Sequence, residues 1–234
     1  EPSIKLEKET VAGKTLATAV LPYTEQVTIR WNKAIGKIEL PTVTLEPKLY
    51  VDVATLVAVG EGVAQCSSRL QYQILQSEVS VFRALLPGDV TVLDVQADDL
   101  RDWKVSSQDG HTVIDIYLNR GIKGSYVLRL RFEKVIGEGS VMAQLPELSL
   151  VGVEREQGVV GIQAQTNVEL TFRDVTNATQ IDVKELPQEV WNRAPYPILL
   201  AYKYLKHPVS VTIDVAKHEE LPVLVAAIDS AHYV

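Results

Sequence analysis

The stretch SYVLRLRFE, residues 125–133, decides the fold class of this chain. Its apolar and charged side chains alternate with a period of two. One side of the stretch carries Tyr126, Leu128, Leu130 and Phe132. The other side carries Arg129, Arg131 and Glu133. Because successive side chains of a β-strand point to opposite faces, this pattern predicts an antiparallel strand with one buried and one solvated face.

The same period of two recurs along most of the chain. Strands are predicted at 15–20, 27–31, 37–40, 70–75, 79–85, 90–95, 112–118, 141–145, 158–164, 168–172, 199–204, 209–215 and 221–228. Between residues 55 and 134, turn signals follow one another about every 8–12 residues, a spacing typical of sandwiches and barrels. At Pro87-Gly88, for example, proline fixes φ and glycine is expected to supply a positive φ. We therefore predict an all-β fold, an antiparallel β-sandwich or an extended super-sandwich.

The predicted division of the chain has three parts. An N-terminal strand region covers 1–54, a first sandwich unit 55–137 and a second, stacked unit 138–234. The stretch 49–59 is too apolar for a half-exposed strand, which leaves one long central strand or two strands that pass between sheets. Strands 199–204 and 209–215 are expected to pair across the loop 206–208. At most one helical turn is expected near 182–190, with Asp182 as its N-cap, because Pro187 interrupts anything longer.

Composition excludes several classes of protein. The 234 residues carry 23 Lys and Arg against 30 Asp and Glu, a net charge of −7, which disfavours a nucleic-acid binder. A single cysteine, Cys66, rules out a disulfide within the chain and is expected to be a small buried side chain. The sequence contains no run of about 18 apolar residues, so no membrane-spanning segment is predicted. Since the chain opens on Glu1-Pro2 without Met, we expect it to be part of a longer protein.

The sequence lacks the motifs that carry common enzyme chemistry: HExxH, GxSxG, the phosphate-binding loop and GxGxxG. The four histidines, His111, His207, His218 and His232, are expected to be solvated or structural. Glu154-Arg155-Glu156 is expected to form a charged hairpin tip, and a glycosidase pair with Asp115 is the weaker alternative. We therefore predict no catalytic residue, no metal site and no cofactor.

One aromatic cluster is the best candidate for a ligand site. Trp191, Tyr202 and Tyr204 lie within the stretch VWNRAPYPILLAYKY, and the two tyrosines share one face of a predicted strand. Exposed aromatic rings on one surface stack on sugars, so these three residues are the predicted ligand-binding set. Packing in the core or on the sheet is the competing interpretation.

The chain carries two resemblances to known families. The run from LVAVGEGVAQCSSRLQYQIL to LVGVEREQGVVGI resembles a domain of large uncharacterised bacterial envelope proteins. In its order of strand, Leu-Pro, valine-rich strand and Trp, the middle of the chain is similar to the β-rich N-terminal domain of M1 aminopeptidases. That family's zinc motif HExxH is absent, so peptidase activity does not carry over. Both resemblances imply an all-β accessory module.

These observations predict a non-catalytic, extracytoplasmic interaction or scaffold domain of a larger bacterial envelope protein. Its partner is expected to be another protein or other domains of the parent chain, reached through sheet edges and apolar patches. A carbohydrate-binding module built on Trp191, Tyr202 and Tyr204, with a glycan as its partner, is the alternative.

Overall fold

The computed structural model describes residues 6–11, 14–28, 45–60, 62–137, 141–165 and 168–217. The strands predicted at 37–40 and 221–228 lie outside these ranges, as do His218 and His232. The chain separates into two compact units, 1–43 and 44–234. In the first, β1 (Leu6–Val11) pairs with β2 (Lys14–Ala19) as an antiparallel hairpin.

The described part of the second unit consists almost entirely of strands. They are β3 (Lys48–Val59), β4 (Gly62–Pro87), β5 (Val90–Ala97), β6 (Leu100–Gln108), β7 (His111–Gly137), β8 (Val141–Gln144), β9 (Ser149–Val151), β10 (Arg155–Ala164), β11 (Val168–Thr176), β12 (Ala178–Gln180), β13 (Ile198–Tyr204) and β14 (Ser210–Lys217). Between β12 and β13 lie a 3-10 turn (Val183–Glu185) and one short helix, α1 (Gln188–Trp191). The all-β prediction is confirmed.

The strands of the second unit form two sheets. The larger has nine strands in the order β12-β13-β10-β3-β4-β7-β5, with β6 added to β7 and β9 added to β4. The smaller has the order β11-β14-β8. Every pairing is antiparallel except that of β3 with β10, so the large sheet is mixed. Strands from both sides of residue 137 thus pair within one sheet.

The long strands β4 and β7 pair along almost their whole length. The two-stranded ribbon that they form bends back on itself. The ring centroids of Tyr72 and Phe82, both on β4, are 4.8 Å apart. Ten residues of straight strand would separate them by about 33 Å, so β4 must bend sharply between them. The bend coincides with a register shift between Ile74 and Val79 and with a positive φ at Gln76. Phe82 then stacks on Tyr126, and the two halves of the ribbon enclose the core.

The core follows the predicted alternation. Leu128 and Leu130 are completely buried, and Arg129 and Arg131, which alternate with them, face outward. The apolar stretch 49–59 forms one long strand, β3, in the interior of the large sheet, and Cys66 beside it is buried. Ile162 of the large sheet and Ile213 of the small sheet belong to the same core cluster, so the two sheets pack as a sandwich.

Three local predictions meet different outcomes. Asp182 is the N-cap, as predicted, and accepts a hydrogen bond from the Lys184 N–H, but two short helical segments follow it, Val183–Glu185 and Gln188–Trp191, where at most one turn is expected. The positive φ expected at Gly88 is wrong; a Cβ there would lie 2.5 Å from the Gly110 carbonyl oxygen, so glycine is needed for space. The expected pairing of 199–204 with 209–215 is also wrong, because the segment between them carries the chain from the large sheet to the small one.

A second, smaller cluster covers the outer face of the large sheet. Ala54 and Leu56 point away from the main core and pack against Leu186 and Val190 of the connection that contains α1. The guanidinium group of Arg193 fastens this connection to the sheet. It donates hydrogen bonds to the carbonyl oxygens of Ala54, Ser67 and Glu189 at 2.8–3.0 Å.

Candidate functional site

His207 lies between two glutamates and hydrogen-bonds to both of them. Its Nε2–H donates to Glu156 Oε1 at 2.7 Å, and its Nδ1–H donates to Glu147 Oε1 at 2.6 Å. The Tyr204 hydroxyl donates to the same Glu156 oxygen at 3.0 Å. Backbone N–H groups complete the set, from Leu150 to Glu156 and from Val209 to Glu147. We call His207, Glu147, Glu156 and Tyr204 the histidine cluster.

Three parts of the chain place the histidine cluster. Glu156 lies on the inner face of β10, Glu147 in the connection between β8 and β9, and His207 in the connection between β13 and β14. The Tyr204 ring packs edge-on against His207, with centroids 5.1 Å apart. The cluster therefore joins β10 of the large sheet to the two connections, β8 to β9 and β13 to β14, through which the chain passes between the sheets.

The surroundings of His207 decide its charge. Partial burial alone lowers the pKa of the imidazole, but the hydrogen bonds and charges of Glu156 and Glu147 outweigh burial and raise the pKa to about 9. The ring is thus a cation at neutral pH. Burial and the neighbouring Glu156 also raise the pKa of the Tyr204 hydroxyl, which keeps it protonated as a donor.

Ser149, His207 and Glu156 have the composition of a nucleophilic triad but not its chemistry. The serine Oγ is 3.4 Å from His207 Nδ1, whereas the Glu147 carboxylate is only 2.6 Å from the same nitrogen. A general base needs an unprotonated nitrogen facing the nucleophile. Because both ring nitrogens donate to carboxylates, neither can accept the serine proton.

Little space adjoins the histidine cluster. The cavity lined by Glu147, Tyr204 and His207 has a volume of about 30 Å³, the share of a single water molecule. Apolar side chains line its other sides, among them Phe132 and Val160. The cluster therefore serves the fold as an internal ionic anchor.

Sequence reasoning did not find this cluster. The expectation that Glu154–Glu156 forms a hairpin tip is wrong, since Glu156 is only 6% exposed and belongs to strand β10. A signal was present: continuing the alternation of Val160 and Ile162 backward by twos places residue 156 on the buried face. The structural role expected for His207 is consistent with its contacts. His111 is exposed, with Nδ1 3.1 Å from the Asp109 carbonyl oxygen.

The three predicted ligand-binding aromatics do not form a shared open surface. Tyr202 and Tyr204 are on one face of β13, as predicted, but that face is the core and their exposures are 5% and 6%. Tyr202 packs edge-on against Phe172, with ring centroids 6.2 Å apart. Trp191 is partly buried against the other cluster, on the opposite face of the sheet. Stacking on a sugar needs exposed rings, which the two tyrosines do not offer.

A groove of about 430 Å³ lies open on the outer face of the large sheet. Strands β3, β10 and β13 form its floor and the connection containing α1 forms one wall. Apolar lining comes from Ala54, Val159, Pro187 and Leu205. Charged lining comes from Asp52, Glu189 and Lys203. Leu205 is 69% exposed, so an apolar side chain stands open to solvent at this groove.

The two carboxylates of the groove already have protein partners. Asp52 accepts a hydrogen bond from Gln157 Nε2 at 2.6 Å, and Glu189 forms an ion pair with Arg69 at 2.8 Å. Lys203, by contrast, is exposed and has no ion-pair partner among the described residues. The groove thus offers apolar contact area with one available ammonium group at its side.

Within the described ranges, no three His, Cys, Asp or Glu side chains are grouped so that they could hold a metal ion. No helix there is long and apolar enough to cross a membrane.

Fold and sites together define an all-β protein with a partly buried ionic anchor and an open outer groove. Its sequence matches no protein-family model and no curated protein. Among solved structures it is similar to an M1 zinc metallopeptidase from Deinococcus radiodurans, at 9% identity and a TM-score of 0.40, over 71% of this chain and 42% of that one.

A second similar structure is leukotriene A4 hydrolase from Saccharomyces cerevisiae, at 10% identity and a TM-score of 0.43 over 72% of this chain and 29% of that one. The structure of yeast LTA4 hydrolase in complex with bestatin is 11% identical, with a TM-score of 0.46, over 75% of this chain and 30% of that one. The chain thus spans less than half the length of these proteins. The expected likeness to M1 peptidases is found at low identity and partial coverage, while the likeness to envelope domains stays a prediction.

Proposed function

We propose that this chain is a non-catalytic interaction domain of a larger bacterial envelope protein, and that its outer groove receives an apolar side chain of a protein partner. The observation that carries the proposal is the groove itself: about 430 Å³ in volume, lined by Ala54, Val159, Pro187 and Leu205. Solvent-exposed apolar area of this kind gains free energy when a partner covers it.

The disposition of the polar groups supports a binding role. The histidine cluster is closed around its own contacts, and the groove carboxylates Asp52 and Glu189 are held by Gln157 and Arg69. The groove therefore combines an apolar floor with fixed charges, an arrangement typical of protein interfaces, where polar rims surround an apolar centre.

A peptide-display selection on the full 234-residue chain tests this function. We expect enriched peptides to share an apolar anchor residue and to bind the wild-type chain. Val159→Lys places a charge in the groove and should weaken that binding at least tenfold. Val105→Lys is the matched control, because Val105 is 46% exposed on β6, away from the groove, and it should bind like wild type.

Two outcomes would reject the proposal. Equal affinity of the Val159→Lys variant and the wild type would show that the groove is not the binding surface. Cleavage or chemical modification of the recovered peptides, detected by mass spectrometry, would show that the chain is catalytic. Thermal unfolding of each variant separates a loss of binding from a loss of fold.

A further inference from the structure

The outer face of the large sheet carries an unusual concentration of arginines beyond α1. Arg69 on β4 and Arg129 on β7 are direct cross-strand partners, and Arg131 lies two residues further along the same face of β7. Like charges directly opposite each other on a sheet are destabilising. Arg193 reaches the same region from the α1 connection. We call Arg69, Arg129, Arg131 and Arg193 the arginine face.

The four guanidinium groups differ in what they already bind. Arg193 is held by backbone carbonyls, and Arg69 by Glu189 and by Gln71 Oε1 at 2.7 Å. Arg129 and Arg131 are both exposed and have no hydrogen-bond or ion-pair partner within the described part of the chain. Two cations are thus available on a rigid strand in the interior of the sheet.

The nearby carboxylates form no ion pair with Arg129 or Arg131. Asp94 lies opposite Arg131 in the register, and its Oδ2 accepts a hydrogen bond from Gln96 at 2.7 Å. Glu133 follows Arg131 on the same face and makes no ion pair with it. Burial lowers the pKa of Arg193, the neighbouring Glu189 raises it, and the charges of Arg69 and Arg129 lower it further. Four arginines thus lie together on one face of a chain whose net charge is −7.

We propose that the arginine face binds an extended polypeptide segment with Asp or Glu at alternate positions. Side chains two apart on a strand are separated by about 7 Å, so Arg129 and Arg131 match two alternate carboxylates of an extended partner chain. Guanidinium groups bind carboxylates through paired hydrogen bonds, which makes arginine suited to this recognition. A short acidic segment that contacts only the arginine face meets less of the chain's net negative charge than an extended polyanion such as nucleic acid.

The test uses two labelled seven-residue peptides of identical composition and the full chain. One alternates Glu and Thr; the other has four Glu followed by three Thr. We expect fluorescence anisotropy to show binding of the alternating peptide, weakened by added salt, and at least fivefold weaker binding of the block peptide. The double variant Arg129→Gln/Arg131→Gln should weaken binding of the alternating peptide at least tenfold.

A second double variant controls for total charge. Arg120→Gln/Arg173→Gln removes the same two charges at exposed sites outside the arginine face, where these residues pair with Asp99 and Asp214. It should bind the alternating peptide within twofold of the wild type. Absence of wild-type binding, equal losses in the two double variants, or equal affinity for both peptides would overturn the proposal. Preferential binding of polyphosphate or a sulfated glycan would overturn the assignment of the partner.

The arginine face and the outer groove lie on opposite sides of α1. The two binding tests are therefore independent of each other. The Val159→Lys variant should bind the acidic peptide like wild type, and the Arg129→Gln/Arg131→Gln variant should keep the groove-dependent binding.

Discussion

The imidazole Nε2 of His207 lies 2.7 Å from the Glu156 carboxylate, across 51 residues of chain. This contact joins strand β10 to the segment that leaves the large sheet. Because the Glu156 side chain is buried, the stability of the fold depends on its hydrogen bond to the His207 imidazolium.

Replacing Glu156 by Gln should lower the free energy of unfolding by about 3 kcal/mol, because it leaves the His207 cation with one carboxylate and a buried amide. Urea denaturation at pH 7 measures the change. Glu154→Gln, two residues away and exposed, is the matched control and should stay within about 0.5 kcal/mol of wild type. Equal effects of the two substitutions would contradict the anchoring role of the contact.

The histidine cluster should also make stability depend on alkaline pH. The pKa of His207 rises from 6.5 to about 9 in the folded chain, so the folded state holds this proton more tightly than the unfolded state. The resulting stabilisation is complete below pH 6.5 and is lost as pH rises through about 9. Urea midpoints between pH 6 and pH 9.5 should fall accordingly. His207→Gln should flatten that dependence; an unchanged slope in the variant would assign the effect to other groups.

The buried hydroxyl pair of Thr55 and Ser68 offers a double-mutant cycle. Their oxygens are 2.8 Å apart, and no buried side-chain polar atom of the described residues lacks a partner. Either Thr55→Val or Ser68→Ala leaves one hydroxyl unsatisfied and should cost about 1–3 kcal/mol. The double variant should be less destabilised than the sum of the two single changes. Simple additivity, measured by thermal or urea unfolding, would mean that the hydroxyls act independently.

Arg193 should control how firmly the α1 connection stays on the sheet. Arg193→Met removes its hydrogen bonds to the carbonyl oxygens of Ala54, Ser67 and Glu189, and should destabilise by about 1–3 kcal/mol. Amide hydrogen exchange in 181–197 should accelerate more than exchange in β7. Arg155→Met, at an exposed arginine over the Tyr50 ring, should leave that exchange unchanged. Uniform acceleration over the whole sheet would indicate global destabilisation instead.

Glycine at position 158 makes room for the Tyr204 ring. A Cβ there would approach ring atoms of Tyr204 to 2.5 Å, and the Glu156 hydrogen bond restrains that ring. Gly158→Ala should therefore destabilise by about 1–3 kcal/mol, as overpacking does. Thermal unfolding checks this value, with the half-buried neighbour Gln157→Ala as a milder comparison. A neutral Gly158→Ala would show that the ring moves aside freely.

Strand positions could be predicted from the sequence because burial on one face leaves an alternating pattern. The stretch 125–133 shows it plainly, and the same rule, extended backward, would have placed Glu156 inside. Strand pairing was harder to predict. Nothing in the local sequence distinguishes a parallel partner for β3 from an antiparallel one. The sequence also predicts two strands in place of β4, because the bend at 74–79 interrupts the alternation.

The candidate site was less predictable because it depends on strand pairing, which the local sequence does not reveal. Glu147, Glu156 and His207 are distant in sequence, and only the pairing of β10 with β3 and the path of the chain between the sheets bring them together. The groove depends on where the α1 connection crosses the sheet. Arg193 holds the connection there through hydrogen bonds to the carbonyl oxygens of Ser67 and Ala54, which lie more than 120 positions earlier in the sequence.

The parallel pairing of β3 with β10 has a consequence for synthesis on the ribosome. Asp52 meets Gln157 across 105 residues, so one side of the apolar strand β3 has no partner until β10 has emerged. At translation speeds of about 5–20 residues per second, that interval lasts several seconds or longer. During it, a nascent chain exposes an unpaired, hydrophobic strand edge, the kind of surface that chaperones shield and that promotes aggregation when translation stalls.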